Sequence, residues 1–164
     1  MKTEMGELLV GAFQQVIQRC DIVCYNQRLS GGGLSGLNEI DVLGLRFDRK
    51  TAFLCEVATH IGGLLYVDYP TTVARITAKH RHQKAFAEAR LQEFPDRRYQ
   101  LWSPVVPEGI LTDRLNHIDP DLKLVINGRY ARRVDRLRNA AGERMNDENN
   151  SAFRLMQILE HLRR

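Results

Sequence analysis

The chain has 164 residues, 43% hydrophobic and 27% charged, with a net charge of +4. That balance excludes a disordered or low-complexity chain and gives enough length for one domain with a real core, while the mild positive charge permits a polyanionic partner without demanding one. Three cysteines with no C-x-x-C pair exclude a zinc or disulfide framework and suit thiols in a reducing compartment. With no apolar run of membrane-spanning length and no apolar export segment near the N-terminus, the expected setting is the cytoplasm, away from membrane.

Taken in chain order, Leu8, Leu9, Ala12, Phe13, Val16, Ile17 and Cys20 recur at helical spacing over 5–20. The run DIVCYNQRL is strand-like, and SGGGLSG after it is a flexible loop. NEIDVLGLRF and TAFLCEVAT are two further strands joined by the short polar turn DRK, which predicts a hairpin. A loop IGGLLYVDYP leads to a long helix over about 71–92. RRYQLWSPVV is a fourth strand, PEGILTDRL a short helix opened by Pro107, and LKLVING a fifth strand. Two helices divided near MNDENNS close the chain. The order αβββαβαβαα predicts an α/β fold with a mixed central sheet of about five strands flanked by helices. The whole of 1–164 reads as one domain, with the motifs in 1–106 and a helical part at 128–164.

Alternation along the strands puts Glu39 and Asp41 on one face, and Glu56, Ala58 and His60 on one face. Pairing as a hairpin lets Asp41 and Glu56 converge. Two carboxylates held close repel unless a cation lies between them, and magnesium takes hard oxygen ligands of this kind. IDVLGL and FLCEVA are too apolar for a solvated hairpin, so acids placed there need a reason.

Four short motifs follow one another: GE at Gly6 and Glu7, NQR at 26–28, EID at 39–41 and EVA at 56–58. In this order the chain resembles the PD-(D/E)XK, or restriction-endonuclease-like, nucleases, and most closely their small Holliday-junction-resolvase-like branch. The resemblance covers roughly the first 105 residues. It implies magnesium or manganese held by Asp41, Glu56 and the backbone carbonyl of Val57, with Glu7 as an auxiliary acid beside the metal. It further implies hydrolysis of nucleic-acid phosphodiesters, with DNA as the partner. The family pattern has a lysine two residues after the glutamate, where this chain has Ala58. The candidates to replace it are Lys79, on a helical row with Gln83, Ala87 and Leu91, and His60 on the Ala58 face; Lys84 is a further cation of the same helix. His80 and His82 read as surface residues. Helical spacing sets Glu7 nearly opposite the apolar stripe of its helix, which predicts a solvated side chain. The alternative from another class is a catalytically inactive member of the fold, serving as a nucleic-acid-binding or protein-interaction module.

In GRYARRVDRLRNAAGER, Arg129, Arg132, Arg133 and Arg136 recur at spacings of three and four, opposite Tyr130, Val134, Leu137 and Ala141. Such a basic stripe, together with Lys84, suits phosphate oxygens and predicts a nucleic-acid contact that reads no sequence. Phe153, Met156, Ile158, Leu159 and Leu162 exceed what one thin apolar stripe needs. They predict core packing, a homodimer or a protein contact through the C-terminal helices.

Overall fold

A computed structural model describes residues 2–30 and 38–164. Most of the glycine-rich SGGGLSG stretch lies outside the described residues. The elements are α1 (Met5–Val16), β1 (Ile22–Arg28), β2 (Glu39–Arg46), β3 (Thr51–Val57), α2 (Tyr69–Arg90), β4 (Asp96–Ser103), α3 (Ile110–Asn116), β5 (Leu122–Ile126), α4 (Asn127–Glu143) and α5 (Ser151–Leu162). The five strands form one mixed sheet in sequential order. β1, β2 and β3 pair antiparallel, and β3, β4 and β5 pair parallel. The fold is therefore α/β, a mixed five-stranded sheet flanked by five helices.

The alternation of side chains across β2 to β5 divides the core in two. On one face Leu43, Leu54, Leu101 and Leu124 meet Ile76 and Phe86 of α2 and Leu111 and Leu115 of α3. On the other, Val42, Phe53, Cys55, Trp102 and Val125 meet Phe13 of α1, Tyr130 and Leu137 of α4, and Phe153 of α5. Trp102 anchors the second layer, with the rings of Phe13 and Tyr130 edge-on at 5.1 and 5.9 Å. α2 and α3 are the crossovers between the parallel strands, so they lie on the same face.

Local chemistry sets the helix ends. α1 stops at Val16, earlier than the periodicity out to Cys20 suggests, because Arg19 turns into the left-handed region at φ 58° and the Cys20 amide closes onto Gln14 O. α2 is capped by Asp68, whose carboxylate accepts from the Thr71 amide at 2.7 Å, with Pro70 in the first turn. α3 opens at Gly109, with φ 87°, and not at Pro107: only glycine takes that backbone angle without strain.

Asn150 caps α5 and ties it to the rest of the molecule. Its Oδ1 accepts from the Phe153 amide at 3.0 Å, and its Nδ2 donates to Leu8 O in α1 at 2.8 Å. The residue is buried, so its removal leaves both partners away from water. Asn150→Ala should lower the unfolding free energy by about 2 kcal/mol. Urea titration checks this as a lower midpoint at unchanged slope.

Candidate functional site

β2 and β3 pair in a register that sets Val42 opposite Cys55. One step further along the hairpin this places Asp41 opposite Glu56. Both side chains face α2, because Leu43 and Leu54, two residues away on each strand, belong to that layer. Asp41 is 5% exposed and Glu56 is 4% exposed. Asp41 Oδ2 accepts the Val57 amide proton at 2.7 Å, which holds the Asp41 carboxylate at the end of β3.

The two carboxyls stand close enough for the Asp41 charge to bear on Glu56. Burial, then the Asp41 charge, raises Glu56 well above the usual carboxylate range. Burial also raises Asp41, opposed by the Lys79 charge and the Val57 amide. Lys79 reaches down from α2 and ion-pairs with Glu56 Oε1. Burial alone would lower the Lys79 ammonium, but Glu56 and Asp41 outweigh it and the net shift is upward. Two carboxyls that hold their protons more tightly than usual, beside one ammonium, limit the like charge buried here.

Around this centre the structure gathers more of the short motifs. Glu7 is half-buried rather than solvated, because the first turn of α1 overhangs the ends of β1 and β2. Burial raises its pKa, the Glu4 amide opposes that, and the Asp41 charge adds to it. Nearby, Asn26 sits in the left-handed region at φ 52° within β1. Asn26 falls at the ladder position opposite Asp41, between the pairs Tyr25–Val42 and Gln27–Ile40. Arg28 donates twice to Glu39 Oε2, at 2.7 and 3.1 Å, across the same two strands.

Ala58 is buried in the layer facing α2, with its carbonyl accepting from Ser103 Oγ at 2.7 Å. It carries no charge to the centre; Lys79 does. His60 does not belong there. β3 ends at Val57, so strand alternation stops short of His60, which is exposed and lies edge-on to the Tyr66 ring at 5.4 Å. Lys84 turns away as well, onto Asp119 at 2.6 Å and Asp121 at 3.2 Å. His80 is buried and not a surface residue, with Nε2 3.1 Å from Asp119. Of the helical row, Gln83 donates to the Leu54 and Gln100 carbonyls at 3.0 and 3.3 Å. It therefore clamps α2 over β3 and β4.

Two residues missed in the sequence lie beside the centre. Burial raises the Tyr66 phenol, which also feels the charges of Lys79, Glu56 and Asp41. Arg75 stacks over that ring at 4.2 Å. Arg75 extends the Lys79–Gln83 row one turn toward the helix start, a signal the spacing already held.

On α4 the basic stripe is not a single solvated face. Arg133 folds inward over Trp102 and Phe13, at 4.8 and 5.2 Å from the ring centroids. Arg129, Arg132 and Arg136 are exposed.

Among the described residues, no group of three or more His, Cys, Asp or Glu side chains is arranged to hold a metal ion. Asp41 and Glu56, buried carboxyls at facing ladder positions, are oxygen donors of the kind a hard divalent cation takes. Magnesium needs only one or two carboxylates and fills its remaining positions with water and substrate oxygens. Among the described residues, no helix is long and apolar enough to cross a membrane. Comparison with protein-family models, curated proteins and solved structures finds no match for this chain.

The raised acids fix the sign of a pH effect. Asp41 and Glu56 hold protons more tightly folded than unfolded, so folding takes up protons above the ordinary carboxylate range. Stability therefore falls as pH rises through that window. In EDTA, Asp41→Asn should be more stable than the parent at pH 7, by about 1 kcal/mol. The advantage should shrink as pH is lowered to about 3, below the ordinary carboxylate values, where the parent's acids are largely protonated in both states. Thermal denaturation at the two pH values checks it.

Proposed function

We propose that this chain is a metal-dependent nuclease-like protein that hydrolyses DNA phosphodiester bonds at the Asp41–Glu56 centre, in a reducing, cytoplasmic setting. One observation carries the reading. Two carboxyls are forced together at the end of a hairpin, and a lysine arrives from the following helix just where the motif position itself holds alanine. A buried arrangement of this kind costs folding free energy, and such costs concentrate where chemistry is done. The three free cysteines, Cys20, Cys24 and Cys55, support the reducing setting.

Asp41, Glu56 and the Val57 carbonyl would hold magnesium or manganese. When bound, the ion would polarise a phosphate oxygen and lower the pKa of a water. The chain's own groups do the rest. Val57 N–H keeps the Asp41 carboxylate in place. With a divalent cation held there, both acids would be charged, and Lys79 would be free to donate to a phosphate oxygen. A lysine stem is long enough and flexible enough for that shift. Glu7, held by the Glu4 amide, adds a further acid at the rim of the centre. Lys79's engagement with Glu56 favours one second reading, a catalytically inactive binding member of the same fold.

Magnesium or manganese should support cleavage of DNA, and EDTA should stop it. Asp41→Ala and Glu56→Ala should abolish cleavage. Lys79→Ala should reduce it roughly a hundredfold to a thousandfold, the cost of one preorganised donor. Gel assays on linear duplex, single-stranded and branched DNA check this, with circular dichroism to confirm folding. Absence of cleavage on all three leaves the second reading.

A further inference from the structure

Eleven lysine or arginine ion pairs and a His80–Asp119 contact join the described residues, yet none includes Lys123, Arg129, Arg132 or Arg133. These four converge. Lys123, Arg129 and Arg133 line a hollow of about 560 Å³ between α4 and the starts of β4 and β5. The hollow adjoins another of about 300 Å³, which shares Asn116, Leu124 and Arg129 and adds Arg132. Together they form a groove along β5, the edge strand of the sheet. Among the described residues its one lining acid is Asp121, which shares the Lys84 ammonium with Asp119.

Two of the groove's guanidiniums are prearranged. Arg133 is clamped over Trp102 and Phe13, and its Nη1 is buried with no hydrogen-bond partner. Arg129 is held by Nη1 donating to Leu124 O at 3.0 Å, which leaves its other donors free. A buried, unpartnered donor on a charged group is costly unless an acceptor arrives. The groove is also separate from the acid pair. Its floor at Phe53, Arg98 and Gln100 belongs to the face of the sheet that α1 and α4 cover, whereas Glu56 faces α2. Along β3 the two sites are three residues apart, roughly 10 Å.

We propose that this groove is a second binding site, for the phosphate backbone of a nucleic acid, distinct from the Asp41–Glu56 centre. The groove is concave, lined by arginine forks, and bordered by amide side chains at Gln100 and Asn116. A lipid surface would need exposed apolar anchors, and none of the exposed large hydrophobic residues lines the groove. Arginine forks accept phosphates and carboxylates alike; the choice of nucleic acid over an acidic peptide rests on the phosphodiester reading of the acid pair. Contacts of this kind position a strand without reading its sequence.

The test is binding of a short mixed-sequence DNA duplex in EDTA, by fluorescence anisotropy, across roughly 50 to 200 mM salt. The triple variant Lys123→Gln, Arg129→Gln, Arg132→Gln changes only exposed side chains and leaves Arg133 packed. Its affinity should fall at least tenfold. The slope of log affinity against log salt should lose about 0.9 for each phosphate contact removed. A charge-matched triple variant across the sheet, Arg81→Gln, Arg90→Gln, Arg114→Gln, should lose much less. Equal losses in the two triple variants, or none in the groove variant, overturn the proposal. Polyglutamate that competes as well as DNA at equal charge overturns the choice of ligand. Cleavage lost in Asp41→Ala while the groove variant still binds normally would sink the groove and spare the acid pair. Weakened groove binding in a chain that cleaves nothing would do the reverse.

Discussion

The contact between the Asp41 and Glu56 carboxyls is the constraint around which this end of the molecule is arranged. Two acids side by side in a buried place cannot both be charged without a cation. The chain answers with carboxyls that hold their protons more tightly than usual and with the Lys79 ammonium. Each answer asks something of the scaffold. The hairpin register must set the acids opposite each other, the Val57 amide must fix one of them, and α2 must run close enough for a lysine to reach the other. Gln83, one turn further along α2, supplies that closeness by bonding carbonyls of both β3 and β4.

The same end of the sheet carries local departures from regular structure. Asn26 takes a left-handed backbone conformation inside a strand, opposite Asp41 on the ladder. Val67, a β-branched residue, has φ 66° in the loop that presents Tyr66 and leads into the Asp68 cap. Conformations of this kind cost about 1–3 kcal/mol each and persist where surrounding structure over-determines them. Here the surroundings are the motif residues themselves, so strain, burial and like charge fall in one place. The far ends of β4 and β5 are regular by contrast, and there the chain concentrates positive charge.

α4 shows how one helix serves two environments. Tyr130, Leu137 and Ala141 build the core, Arg133 lies flat on aromatic rings at the boundary, and Arg129 and Arg132 stand in solvent. An arginine can occupy the boundary because its planar, weakly hydrated head stacks on an aromatic face while its stem packs. α5 carries a comparable surplus of apolar surface on its outer side, at Leu155, Ile158, Leu159 and Leu162. Its inner side is already used by Ala152 and Phe153.

Whatever depended on period or on near neighbours could be read from the sequence alone. Period-two runs and a short polar turn defined the β2–β3 hairpin, and alternation within it brought Asp41 and Glu56 to one face. The 3.6-residue row on α2 marked Lys79 as a side chain aimed at the sheet. What involved distant segments could not be read. Lys84 finds Asp119 and Asp121 some 35 residues on, His80 is buried beside Asp119, and Arg133 meets Trp102 from another layer. Strand length misplaced His60, because alternation is informative only while the strand lasts and β3 ends at Val57. Glu7 was misjudged because a helix wheel gives direction about an axis, not what overhangs the end of that axis. Periodicity determines which way a side chain points within its own element. Only packing decides what stands there to meet it, because charge pairing and desolvation act through space between residues far apart in the chain.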